Sequence, residues 1–140
     1  MGFFEKAHLT WEVFFVAHFS QEAMKWIFYI VKSLLSLFFL ASASMYFLSY
    51  EDVSAIFSHL GFPIWVVYPL ATAKILGVLA IWIPLRFKTL KEWAYAGFFF
   101  DALLAMGAHR AANESIVLAL IAIGMVLTTY FLEKRLAKSA

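Results

Sequence analysis

The chain has 140 residues, of which 64% are hydrophobic and 19% aromatic while only 14% are charged, and that balance describes a membrane protein rather than a water-soluble domain. A formal net charge of +2, with no lysine or arginine cluster in a groove-binding pattern, excludes nucleic acid as a partner. There is no cysteine, so disulfides, thiolate metal sites, iron–sulfur clusters and dithiol relays are excluded for this chain by itself.

The first segment, residues 1–24, lacks the basic start, apolar middle and small-residue cleavage site of a secretory signal and is read as retained. Phe3, Phe4, Trp11, Phe14, Phe15 and Phe19 make it apolar, while Glu5, His8 and Glu12 recur at helical spacing. The pattern predicts an amphipathic interfacial helix, because a crossing would bury His8, Glu12 and His18 without partners. His8 and Glu12 have i,i+4 spacing that suits a metal, but a solvated face explains them as well, and no metal site is assigned.

Four stretches then reach the roughly 20 residues that a 30 Å hydrocarbon core requires: 25–49, 63–85, 92–112 and 115–132. In the first, Lys32 reads as a snorkelling lysine. Gly61, Phe62 and Pro63 break the chain before the second, Pro69 predicts a kink inside it and Pro84 ends it. Thr89 and Glu92 have capping-box spacing ahead of the third, and Asn113 can cap the fourth. The fold class that follows is all-α, an integral membrane four-helix bundle over 25–135, preceded by the interfacial helix and followed by a short tail, 136–140.

Lys and Arg set the orientation. Arg86, Lys88 and Lys91 lie between the second and third spans and Lys134, Arg135 and Lys138 in the tail, whereas Glu51, Asp52, His59, Asn113 and Glu114 occupy the opposite loops, with Arg110 the only strong base on that side. Both termini of this multi-pass chain are therefore expected in the cytoplasm.

Two charges interrupt the spans. Lys74 lies ten residues before Pro84, about 15 Å, and Asp101 nine after Glu92, about 14 Å, so antiparallel neighbours bring them to one depth. Each costs roughly 2.5 to 3.5 kcal/mol at a helix centre, and pairing recovers much of that. Ala94, Gly97, Ala105 and Ala108 flank Asp101, and Ala73, Gly77 and Ala80 flank Lys74, so Gly77 and Gly97 are expected to face one another beneath the charges. Phe98, Phe99 and Phe100 then lie on the other sides, toward lipid or neighbouring helices. His109 and Arg110 follow about 12 Å above Asp101, within reach of Glu51, Asp52 and His59.

The stretch HLGFPIWVVYPLATAKILGVLAI followed by LKEWAYAGFFFDALLAMGAH resembles the DoxX-like membrane proteins, through Gly61, Phe62, Pro63, Lys74, Gly77, Glu92, Trp93, Tyr95, Gly97, Phe98, Asp101 and His109. The resemblance, over about residues 25–135, implies a four-helix bundle in the bacterial cytoplasmic (inner) membrane; the family takes its name from a subunit of a thiosulfate:quinone oxidoreductase, and some relatives are linked to quinone or oxidative stress.

Two functions follow as alternatives. In one, the protein is a subunit of a membrane redox system: Lys74, Asp101 and His109 hydrogen-bond a quinone or other lipophilic small molecule held among aromatic side chains, beside a redox partner protein. In the other it is a non-catalytic adaptor or assembly factor whose charges only hold the helices in register. No flavin, haem, metal or nucleotide signature is evident, so quinone is the one cofactor candidate and catalysis by this chain alone is doubtful.

Overall fold

A computed structural model of the protein describes residues 2–84 and 88–139, with side chains at Val13, 18–84 and 88–138. The fold is all-α: α1 (Gly2–Leu48), α2 (Tyr50–His59), a 3₁₀ turn (Ile64–Val66), α3 (Val67–Trp82), α4 (Lys88–Ala111) and α5 (Val117–Ser139). Arg86 and the side chains of His8 and Glu12 lie outside the described residues.

α1 runs without interruption for 47 residues, roughly 70 Å. The division expected near Lys25 is absent from the backbone, because no glycine or proline falls between Phe3 and Leu48 to break the helix. α2 was expected as loop; it is a short amphipathic helix that buries Val53 and Phe57 and points Glu51 and Asp52 outward.

The corner after α2 explains why Gly61, Phe62 and Pro63 stand together. Gly61 takes φ +83°, its N–H bonds the Ser58 carbonyl, and the Phe62 N–H reaches back to Phe57 at 2.8 Å. This is a Schellman close, in which only glycine enters the left-handed region without penalty. The Phe62 ring then packs against Phe57 with centroids 5.7 Å apart, the apolar contact that accompanies the motif.

The same chemistry corrects the expectation for Asn113. It does not cap α5 but closes α4, with φ +59°, its N–H on the Arg110 carbonyl and the Glu114 N–H on His109. α5 starts later, at Val117, whose N–H faces Ser115 Oγ at 3.5 Å. Pro69 lies within the first turn of α3, where its missing N–H is harmless, so the expected internal kink is replaced by a 3₁₀-to-α junction. Ile83 is extended (ψ 132°), as a residue before proline must be, and α3 stops there. α4 begins at Lys88, which places Thr89 inside the helix rather than at a capping position.

The four long helices form a ring: α1 packs on α3 and α5, and α4 packs on α3 and α5. Each inward face repeats every three or four residues: Phe28, Lys32, Leu35, Phe39 and Ala43 on α1; Val67, Ala71, Lys74, Val78 and Ile81 on α3; Tyr95, Phe98 and Ala102 on α4; Ala119, Ala122, Val126 and Thr129 on α5. Phe39 and Phe98 stack across the diagonal at 4.2 Å. Outward, Ile30, Leu34, Leu37, Leu76, Phe100, Leu104 and Phe131 are exposed, an apolar exterior that water does not favour. Among the described residues three stretches are long and apolar enough to cross a membrane: His18–Leu48, Ile64–Trp82 and Val117–Lys138.

Candidate functional site

Lys74 and Asp101 do meet. The Lys74 position belongs to the inward repeat of α3, so its ammonium is carried into the ring, where only 6% of the side chain is exposed. Nζ lies 3.4 Å from Asp101 Oδ2, long for a hydrogen bond but well within ion-pair range. It also donates to Ser42 Oγ and Tyr46 Oη, each at 3.0 Å, and stands 4.4 Å from the Tyr46 ring centroid. One lysine on α3 thus ties α1 to α4.

The carboxylate is less well served. Asp101 is 18% exposed, and among the described residues its carboxylate has one ion pair, from Oδ2 to Lys74. A carboxylate offers about four lone-pair sites, so most of its accepting capacity is unspent.

His109 is not part of this group. Its Nδ1 pairs with Glu114 Oε2 at 2.6 Å, and His59 Nε2 lies 3.3 Å from Glu114 Oε1. Glu114 therefore joins the two histidines, in place of the contacts expected from Glu51 and Asp52. Nor do the glycines face each other: a Cβ on Gly77 would come within 2.7 Å of Phe98 Cζ, whereas nothing lies within 4 Å of one on Gly97. Gly77 is the seat for the Phe98 ring, and Phe98 turns inward because the α4 repeat runs Tyr95, Phe98, Ala102.

A second polar layer lies on the far side of the Phe39–Phe98 stack. Lys32 does not snorkel; it is 5% exposed, with Nζ 5.0 Å from the Phe28 ring and 4.7 Å from Trp82, and its ammonium donates no hydrogen bond to a described residue, although its carbonyl accepts from Ser36 Oγ. Beside it, Trp82 Nε1 donates to Ser36 Oγ at 2.7 Å. Glu133 on α5 accepts from Lys91 at 2.7 Å and from Tyr95 Oη at 2.6 Å, and Lys134 pairs with Glu92. Sequence reasoning missed Ser42, Tyr46 and this second layer. The available signal was spacing: Lys32 falls four after Phe28 and three before Leu35, and Tyr46 three after Ala43.

Among the described residues no group of three or more His, Cys, Asp or Glu side chains is placed to hold a metal ion. Apolar helices of spanning length, an apolar exterior and charges turned inward define a membrane protein. More particularly, the chain belongs to the DoxX-like family, whose sequence model matches residues 30–131, from the middle of α1 to near the end of α5. No curated protein and no solved structure matches it.

Proposed function

We propose that the protein is a membrane subunit that binds a lipophilic small molecule at Asp101, in a four-helix bundle of which α4 is the fourth span. α4 has 24 residues, about 36 Å, which is sufficient for a crossing. Its charged ends and Asp101 make it more polar than the other three, and packing between α3 and α5 offsets that. In this reading four crossings put both chain ends on one side, and the basic residues Lys88, Lys91, Lys134 and Lys138 support the cytoplasmic side of a bacterial inner membrane. The amphipathic N-terminal stretch of α1 then continues the first span at that surface.

The observation that carries the reading is the asymmetry within the pair. Ser42 and Tyr46 fix the Lys74 ammonium, and the carboxylate it faces keeps accepting capacity for a hydroxyl or N–H donor. A quinone in its reduced form presents such hydroxyls, and its ring has the aromatic side chains of Phe39, Tyr46 and Phe98 nearby to stack on. In this scheme a redox partner protein supplies two electrons and the aqueous phase two protons to turn the quinone into quinol, Asp101 accepts a quinol hydrogen bond, and His109 stands eight residues further along α4. The competing reading, a structural adaptor, draws on the fact that Lys74 is fully engaged by the protein itself.

The two separate by experiment. The full chain is purified in mild detergent and its bound lipids and quinones are extracted and weighed by mass spectrometry, for the wild type and for Asp101→Asn. A stoichiometric lipophilic compound that disappears in the variant supports the site. Repeated preparations of wild type without one assign the pair to structure alone.

A further inference from the structure

The bases of α4 and α5 enclose a cleft of about 400 Å³ that the Lys74 site does not reach. The first two turns of α4 line one wall with Lys88, Lys91 and Tyr95, and the last turns of α5 line the other with Tyr130, Lys134 and Lys138. Glu92 and Glu133 are the two acidic groups in the lining, so four ammoniums face two carboxylates, a formal excess of two positive charges. Both carboxylates are already taken: Lys91 holds Glu133 and Lys134 holds Glu92. Lys88 and Lys138, both exposed, have no partner among the described residues.

We infer that this cleft holds the phosphate of an anionic phospholipid. The charge excess selects an anion, and basic recesses between membrane helices take acidic lipid headgroups. Height agrees as well, because the cleft lies at the end of the apolar stretch Val117–Lys138, where a headgroup sits. Just outside, Trp93 (71% exposed) and Phe131 (61% exposed) provide apolar surface for acyl chains. Tyr95 and Tyr130, edge to face at 5.7 Å, form the floor, and Lys134 lies over the Tyr130 ring.

The test uses the full chain in mild detergent, titrated with phosphatidylglycerol or with phosphatidylcholine of the same acyl chains and followed by native mass spectrometry. Phosphatidylglycerol is expected to bind more tightly, and Lys88→Gln with Lys138→Gln to weaken it roughly 30-fold, taking about fivefold per lysine near a charged surface. Phosphatidylcholine affinity stays unchanged in that variant, and Lys88→Arg with Lys138→Arg retains the preference, which separates a charge effect from a folding defect. Equal affinity for the two lipids, or an unaltered phosphatidylglycerol titration in the glutamine variant, overturns the inference. So does displacement of the lipid by excess inorganic phosphate, which would give the cleft to a soluble anion.

Discussion

Lys74 and Lys32 are buried to nearly the same degree, 6% and 5% exposed, on neighbouring helices of one ring, yet their surroundings are opposite. Lys74 has two hydroxyl acceptors and a carboxylate; Lys32 has two aromatic faces and no hydrogen-bond acceptor among the described residues. The carboxylates reverse the pattern. Glu133, in the Lys32 layer, is held at both oxygens, while Asp101, in the Lys74 layer, is touched at one. The stack of Phe39 on Phe98 separates the layers, so each must balance its own charge. Burial alone therefore says little about what a membrane charge does; the partner list decides.

The largest expected effect breaks the Lys74 layer. Lys74→Met strands Asp101 and should cost about 3 to 5 kcal/mol of stability, whereas Lys74→Met with Asp101→Leu should recover most of it. Thermal unfolding of the purified protein in detergent measures both. A double variant no more stable than the single one would show that Asp101 is not the principal partner of Lys74.

That pair was legible in the sequence, because each charge interrupts an apolar run and Pro84 and Glu92 calibrate the two depths. Its hydroxyl partners were not. Serine and tyrosine are ordinary in membrane helices, and Ser42 and Tyr46 become distinctive only when placed on the same face as Phe39. Lys32 was misjudged because two turns from a span end suits snorkelling; its inward position depends on the repeat through Phe28 and Leu35. α2 was hidden for a related reason: ten residues with two acids read as a loop until Val53 and Phe57 find the cluster around Val67. Depth follows from counting along one helix, whereas partners depend on how several helices are turned.

The hydrogen bonds discriminate next. Tyr46→Phe removes one of two hydroxyl acceptors from the Lys74 ammonium and should cost about 1.5 to 3 kcal/mol. Tyr95→Phe should cost less, since Lys91 continues to hold Glu133. Unfolding curves in which the Tyr95 variant is the weaker of the two would reverse the ranking of the layers.

The aromatic divider is tested by a glycine pair. Gly77→Ala would push a methyl into the Phe98 ring, which is stacked on Phe39 and has little freedom to retreat, so a loss of about 1 to 2 kcal/mol is expected. Gly97→Ala meets open space and should be neutral or slightly stabilising, through the better helix propensity of alanine. Equal losses from the two would mean that the ring of Phe98 does not rest on α3.

The smallest change is expected where the ammonium has no hydrogen bond. A lysine at a span centre costs roughly 2.5 to 3.5 kcal/mol to insert, and a desolvated ammonium over two rings regains on the order of 2 kcal/mol or more. Lys32→Met removes both contributions and keeps the length of the side chain between Phe28 and Trp82. The two nearly cancel, so its stability should stay within about 1 kcal/mol of wild type. Set against Lys74→Met in the same detergent and buffer, the comparison is direct: two methionines replace two equally buried lysines, and only one leaves a carboxylate without its closest cation. A loss for Lys32→Met as large as that for Lys74→Met would mean that aromatic faces and hydroxyl acceptors hold an intramembrane ammonium equally well, and the distinction between the layers would fall.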